Sequence, residues 1–95
     1  MLKRPAGDRR LRILEWLKDP GAHFPPQQDT DLAEDGVTAA AIASKLGVPR
    51  CVAESDLRLL AAIGILRTTR IRRRTLYRRD EVRVAEVARM FEKGW

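Results

Sequence analysis

Apolar side chains recur at intervals of three and four residues in four stretches of the chain, which is the spacing of one face of an α-helix. In the first stretch, Leu11, Leu14 and Leu17 are followed by Pro20 and Gly21, which are residues that end helices. The pattern therefore predicts four helices separated by turns and connecting segments. Their expected ranges are about 9–18, 39–46, 50–63 and 80–93.

The residues that flank these stretches predict where each helix begins and ends. Asp8, Thr38 and Asp80 each precede a stretch, and their side chains can accept a hydrogen bond from the first helical turn. Gly47 follows the second stretch and can adopt the left-handed conformation that ends a helix. Because residues 47–49 alone separate the second stretch from the third, these two helices are predicted to form a helix-turn-helix.

The remaining segments complete the expected fold. Segments 65–69 and 75–79 are rich in Thr, Leu and Tyr, which favours two strands of a hairpin with its tip at 70–74. Segment 20–36 holds three of the five prolines and is predicted to be a loop or extended arm. The order is helix, arm, helix, turn, helix, two-stranded wing, helix. We therefore expect a mainly α-helical, single-domain winged helix-turn-helix over residues 1–95.

The charge distribution indicates the kind of partner. The chain has 95 residues and a net charge of +6, from 19 basic and 13 acidic side chains. Residues 1–48 are neutral overall, so the whole excess lies in residues 49–95. Within that half, residues 67–79 contain seven arginines and no acid. A basic strand pair of this kind favours a polyanionic partner, and in a winged helix that partner is double-stranded DNA.

Several classes of protein are excluded by what the chain lacks. Its single cysteine cannot form an intramolecular disulfide, and no apolar run approaches the roughly 18 residues that a membrane span needs. No apolar segment follows the basic N-terminus, which excludes a secretory signal. Neither a nucleophile–base pair, a phosphate-binding glycine loop nor a metal cluster is present. We therefore expect no enzyme, no cofactor and no metal site, and an intracellular location.

The candidate DNA contacts follow from the geometry of a winged helix. The second helix of the motif enters the major groove with its exposed side chains toward the base edges, while the wing lies on the backbone or in the minor groove. In the helix predicted over 50–63, Ala53, Leu57 and Leu60 should face the core, so the opposite face is exposed. The candidate contacts are Lys45, Arg50, Ser55, Arg58, Arg70, Arg72, Arg73 and Arg74.

An ordered set of residues resembles the winged-helix core of the ArsR/SmtB-type bacterial repressors. The set comprises Ile42-Ala43, Leu46-Gly47-Val48, Leu57, Leu60, Gly64-Ile65-Leu66, Arg70 and Tyr77-Arg78-Arg79. Segment 16–37, WLKDPGAHFPPQQDTDLAEDGV, is similar to the opening of one subgroup of that family. The resemblance implies a cytoplasmic, homodimeric repressor of a palindromic operator, whose first and last helices form the dimer interface. The corresponding interface residues are Leu11, Leu14, Val84, Val87 and Phe91.

The chain also departs from that family. Where members often have S-Q-x-T-x-S-x-H-L, residues 49–57 are PRCVAESDL, which puts Glu54 and Asp56 on or near the DNA-facing side. Because acids repel phosphate, an alternative is a winged helix that has lost DNA binding and binds a protein instead. Residues 38–46 contain no thiol and residues 80–93 no histidine, so the usual metal sensing of the family is not expected.

Three further features have two interpretations each. His23 is expected to be a loop residue rather than a pH or ligand sensor. Cys51 is expected to be a small packing or surface residue, with a redox switch as the alternative because Arg50 and a helix start could lower its thiol pKa. The arm at 20–36 is expected to cover the neighbouring subunit, and its FPPQQ segment could instead bind a partner as a polyproline helix. No effector is indicated.

Overall fold

The structure, a computed structural model, describes residues 6–92. Within that range five helices and three strands form a winged helix-turn-helix, as predicted. The helices are α1 (Ala6–Lys18), α2 (Pro20–His23), α3 (Ala39–Leu46), α4 (Arg50–Ala62) and α5 (Glu81–Glu92), and the strands are β1 (Val37–Thr38), β2 (Leu66–Ile71) and β3 (Arg74–Arg79).

Two of the three predicted helix caps are confirmed. The Thr38 Oγ1 accepts a hydrogen bond from the Ala41 amide at 3.2 Å, and the Asp80 Oδ1 accepts one from the Arg83 amide at 3.2 Å. The prediction for Asp8 is wrong, because α1 begins at Ala6 and Asp8 lies inside its first turn. A carboxylate in the first turn still interacts favourably with the helix dipole, which explains why the same residue type occurs there.

The core lies between α1, α3, α4 and the sheet. Leu57 and Leu60 of α4 are buried, as their spacing predicted, and Ala53 lies one turn before Leu57. A buried aromatic ring, that of Phe24, comes from the segment that was predicted to be an arm. The buried apolar residues are Ile13, Leu17, Phe24, Val37, Ala39, Ile42, Ala43, Ala53, Leu57, Leu60, Leu66, Leu76 and Tyr77.

The sheet has three strands rather than the predicted two. Its order is β1-β3-β2, and both pairings are antiparallel. In the additional strand, Val37 pairs with Tyr77 and Thr38 pairs with Leu76. A strand of two residues has no alternation for a pattern to detect, and its partner lies far along the chain. The short β1 attaches the beginning of the helix-turn-helix to the wing.

The wing turn is tighter than predicted. The β2–β3 pairing continues to Ile71 and Arg74, so Arg70 and Arg74 lie in strands and the tip is Arg72-Arg73 rather than 70–74. Both tip residues have positive φ, 49° at Arg72 and 70° at Arg73. Two central residues with positive φ are typical of a type I′ turn, whose twist matches that of the strands it joins.

The segment expected to be an arm folds onto its own domain. It opens with the single helical turn α2, contrary to the prediction of a loop, and then buries Phe24. The Gln27 side chain donates to the Gly36 carbonyl at 3.1 Å and accepts from the Thr38 amide at 3.2 Å, which ties the segment to β1. Gly36 has a φ of 110°, and a Cβ there would lie 2.6 Å from the Tyr77 carbonyl oxygen. This close approach explains the glycine.

Candidate nucleic-acid interface

The turn between α3 and α4 is held by backbone hydrogen bonds at the end of α3. Gly47 adopts a φ of 73°, and its amide donates to the Ser44 carbonyl at 3.2 Å. The Val48 amide donates to the Ala43 carbonyl at 3.1 Å, which completes a Schellman motif. Pro49 then precedes α4, and its carbonyl accepts from the Val52 amide at 3.0 Å. These contacts fix the direction in which α4 leaves the turn.

The outer face of α4 presents the side chains that the sequence predicted. Arg50, Ser55 and Arg58 are exposed, and so is Cys51. Glu54 lies among them, and its carboxylate forms an ion pair with the Arg50 guanidinium at 3.3 Å. Glu54 is therefore a partly neutralised residue of this face, which leaves Arg58 as a cation without a partner among the described residues.

Asp56 does not lie on the DNA-facing side, which corrects the sequence interpretation. Its side chain is 2% exposed and points to α1, where it accepts from the Arg9 Nε at 2.8 Å and from the Arg10 Nε at 3.1 Å. The reason is helical geometry, because Asp56 lies three residues after Ala53 and four before Leu60, on the buried face of α4. Asp56 joins α1 to α4 and exerts no repulsion at the exposed face.

The seven arginines of residues 67–79 differ in whether a carboxylate of the described residues already pairs with them. Three pair with carboxylates that lie outside the run: Arg67 with Asp80 at 3.1 Å, Arg72 with Asp29 at 2.9 Å and Arg79 with Glu81 at 3.0 Å. Arg70 and Arg73 are exposed, and neither forms a hydrogen bond or ion pair with any residue from 6 to 92. The wing is therefore basic, but less so than the sequence alone indicates.

The segment before β1 contacts the wing tip directly. Asp29, at a φ of 61°, holds the Arg72 guanidinium, and the Gln28 carbonyl accepts from Arg74 Nη2 at 3.2 Å. Sequence reasoning missed both partners, since 43 residues separate Asp29 from Arg72 and 46 separate Gln28 from Arg74. Two of the four candidate wing contacts are thus already engaged within the chain.

Lys45 lies on α3, away from the exposed face of α4. Its Nζ lies 5.0 Å from the centre of the Trp16 ring and 5.9 Å from that of Phe24. The two rings pack edge to face, with centroids 6.2 Å apart. The ammonium group is exposed and in the range of cation–π attraction. Its part in DNA binding stays a prediction.

The chain is similar to a curated bacterial protein of matching length. It is 34% identical over 88 residues to the uncharacterized HTH-type transcriptional regulator YbzH of Bacillus subtilis (strain 168). The match covers 93% of this chain and 88% of the relative. The chain belongs to the HTH-type transcriptional regulators. No protein-family model matches it.

In this regulator Tyr77 of β3 belongs to the same core cluster as Leu57 and Leu60 of α4. The side chain is buried, and burial raises the pKa of its hydroxyl above the usual 10.0. The neighbouring Glu54 carboxylate raises the pKa further, while Arg58 and Arg50 lower it. The same two arginines that define the exposed face of α4 therefore influence the electrostatic environment of Tyr77.

The predicted dimer residues of the regulator differ in how far their side chains are exposed in the single chain. Leu11 is 62% exposed, while Leu14 is half-buried and packs against the core. Val84 and Val87 of α5 are half-buried. The side chain of Phe91 and residue Lys93 lie outside the described residues. Other exposed large apolar residues are Leu59 and Ile63 of the α4 region and Val82 and Met90 of α5.

The described part of the regulator has neither a membrane-spanning helix nor a cluster of metal-ligating side chains. No helix within residues 6–92 is long and apolar enough to cross a lipid bilayer. His, Cys, Asp and Glu side chains of that range do not gather in groups of three or more that could hold a metal ion. His23 and Cys51 are both exposed.

Proposed function

We propose that the chain is a sequence-specific transcriptional repressor of the ArsR/SmtB type that binds a palindromic operator as a homodimer in the cytoplasm. It acts by binding alone, without catalysis, cofactor or metal. In this proposal α4 lies in the major groove, with Arg50, Ser55 and Arg58 toward the bases. The wing places Arg70, Arg72, Arg73 and Arg74 on the backbone or in the minor groove, and Lys45 adds a phosphate contact.

The observation that carries the proposal is the pairing state of the cations around the helix-turn-helix. Arg58 on α4 and Arg70 and Arg73 on the wing are exposed and form no bond within residues 6–92. Surface arginines that no carboxylate of the described residues neutralises can release the counterions of DNA on binding. Of the two acids that argued against DNA binding, Asp56 is buried against α1 and Glu54 is paired with Arg50.

The experiment is an electrophoretic mobility shift with fragments of the source genome, followed by selection of the bound fragments. We expect retarded bands at low salt and a recovered palindrome whose half-sites lie about 10 bp apart, which is one helical turn. The absence of any retarded band at micromolar protein and low salt would favour the alternative, a winged helix that binds a protein partner.

The salt dependence tests the wing separately. Each phosphate contact contributes a slope of about −0.9 in log K against log salt, so R73Q should flatten the slope by about 0.9 per subunit. R89Q is the matched control, since Arg89 is an exposed arginine of α5 and its loss changes the net charge equally. Equal slopes for R73Q and R89Q would show that the wing tip does not touch DNA.

A further inference from the structure

A small cavity lies between the end of α1, the segment before β1 and the end of β3. Its volume is about 230 Å³. Its lining combines apolar and charged side chains, which together can orient a small amphiphilic ligand. The apolar lining residues include Leu17, Pro20, Leu32 and Ala33, and the charged lining residues (the charged wall) are Lys18, Arg78, Arg79 and Glu81.

The charged wall has an excess of positive charge. Arg79 is engaged through its terminal nitrogens, since Nη1 donates to the Leu14 carbonyl at 2.9 Å and Nη2 donates to the Glu81 carboxylate at 3.1 Å, while its Nε lies 3.0 Å from that carboxylate without donating a hydrogen bond. Lys18 and Arg78 form no hydrogen bond or ion pair with any residue that the structure describes. Three cations therefore face one carboxylate, and that carboxylate is already paired.

Arg78 differs from the exposed arginines of the wing tip. Its Nε is buried and has no acceptor among the described residues. Buried N–H groups in folded proteins nearly always have an acceptor, and water satisfies the exposed guanidinium of Arg73 but reaches this nitrogen poorly. A ligand atom the size of water cannot reach this Nε, but the other guanidinium N–H groups of Arg78 also have no partner among the described residues and can donate to an anionic ligand in the cavity.

We propose that this cavity binds a small monocarboxylic acid with an apolar body. The carboxylate would accept from Arg78, with Lys18 supplying the second positive charge at the mouth. The hydrocarbon part would lie against Leu32 and Pro20. A cavity of 230 Å³ has the volume of about eight water molecules at roughly 30 Å³ each, which limits the ligand to a similar number of non-hydrogen atoms.

The position of the cavity connects it to DNA binding, a step that rests on the proposed function. Leu32 belongs to the segment whose Asp29 holds the wing-tip Arg72, and Arg78 is part of β3 itself. A ligand that contacts both elements stabilises the relative position of segment and wing that it binds most tightly. If DNA prefers a different relative position, ligand binding lowers the affinity for DNA, and if DNA prefers the same one, ligand binding raises it.

The test is a titration of the full chain with sodium benzoate, followed by the amide signals in ¹H–¹⁵N NMR spectra, without DNA. We expect saturable shifts at Leu32, Ala33 and Arg78, and little response to benzamide, which has the same shape without the charge. R78Q should weaken benzoate binding by at least about tenfold, the value of a charge-assisted hydrogen bond. R89Q removes an equal charge on α5 and should leave binding unchanged.

Three results would overturn the proposal: no saturable shift, equal shifts with benzamide, or undiminished binding in R78Q. If R78Q does not fold, K18Q replaces it, because Lys18 is exposed and its substitution does not affect the core. K18Q should weaken benzoate binding, and unchanged binding would count against the site. The benzoate titration contains no DNA, so its outcome does not depend on whether the chain is a repressor. The salt-slope experiment contains no benzoate, so it tests the proposed DNA binding alone.

Discussion

At the scale of single residues, the carboxylate of Asp56 determines how the first helix is placed against the DNA-binding helix. The Asp56 side chain is 2% exposed and accepts from two guanidiniums of α1, those of Arg9 and Arg10, whose side chains are 30% and 34% exposed. A buried carboxylate without partners is strongly unfavourable. Helix α1 must therefore occupy its observed position for α4 to pack with Asp56 inside.

Substitution of Asp56 should destabilise the fold. D56A removes both ion pairs, but the two arginines keep access to water, so the expected loss is about 1–3 kcal/mol, below the range for fully buried pairs. Urea unfolding followed by circular dichroism measures it. E54Q is the control, because the exposed Arg50–Glu54 pair is worth about 0–1 kcal/mol. Equal losses in D56A and E54Q would contradict the assignment.

Tyr77 should make the fold sensitive to alkaline pH. Burial raises the pKa of its hydroxyl above 10.0, so the phenol ionises in the unfolded chain before it ionises in the folded one. The stabilisation is complete below pH 10 and is lost as the pH rises through the folded-state pKa. Denaturant unfolding at pH 9 and pH 11 should show a larger loss of stability in the wild type than in Y77F. Parallel losses would assign the alkaline effect to other groups.

Sequence patterns identify some of these residues and not others. Thr38 and Gly47 were predicted because a cap and a C-terminal glycine are local signals within three or four residues of the groups they bond. The partners of Asp56 lie 46 and 47 residues away, and no local pattern records them. The sequence interpretation therefore put Asp56 on or near the DNA-facing side, whereas its spacing of three residues from Ala53 and four from Leu60 places it on the buried face of α4.

At the scale of elements, the segment between α2 and β1, residues 24–36, holds the wing tip through contacts with Arg72 and Arg74 and is called the brace. Its conformation is set by acidic side chains: the Asp31 Oδ1 accepts from the Ala33 and Glu34 amides at 2.8 Å, and the Asp35 Oδ2 accepts from the Asp31 amide at 2.7 Å. From this base Asp29 reaches Arg72. The brace therefore occupies the same guanidinium that the proposed function assigns to a phosphate.

Release of that guanidinium should strengthen DNA binding. The Arg72 and Asp29 side chains are 73% and 59% exposed, so their pair is worth less than about 1 kcal/mol. D29N should therefore raise affinity for DNA at low salt by about two- to fivefold, measured by fluorescence anisotropy. E34Q removes an equal charge from the same segment without touching the wing. The gain of D29N over E34Q should vanish in an R72A background, and a gain that persists there would show that net charge alone is responsible.

The long helices could be predicted from the sequence, whereas the two shortest elements, β1 and α2, could not. Periodic apolar positions predicted α3 and α4 closely, because each of these helices buries one face against the core. The strand β1 and the helical turn α2 are two and four residues long, too short for a period to register. Both depend on tertiary contacts, and the cavity beside Arg78 depends on where these short elements place Leu32 and Pro20.

At the scale of the whole molecule, α5 is a helix with little of its own domain to cover it. Its apolar residues Val82 and Met90 are 72% and 49% exposed, and Leu11 on α1 is 62% exposed. A short chain with this much exposed apolar surface favours association. The proposed homodimer would bury these residues through the first and last helices.

A charge on that surface should separate the subunits. L11E and M90E place a carboxylate where the single chain is open to solvent, so the folded monomer should tolerate both. Burial of the same charge between subunits should weaken the dimer by about 100-fold or more. Light scattering after size-exclusion chromatography measures the mass, and A40E, at an exposed position of α3, is the control. A dimer that survives both substitutions would place the interface elsewhere.

The two-arginine turn at the wing tip has a consequence for how this protein responds to selection. Arg72 and Arg73 both have positive φ, where side chains other than glycine, asparagine and aspartate are disfavoured by about 1 kcal/mol each. Asn-Gly at these positions would suit the turn better and would remove two positive charges per subunit. Selection for thermostability and selection for nucleic-acid affinity therefore favour opposite residues here, and stabilised variants of this chain are expected to lose DNA affinity first at the wing tip.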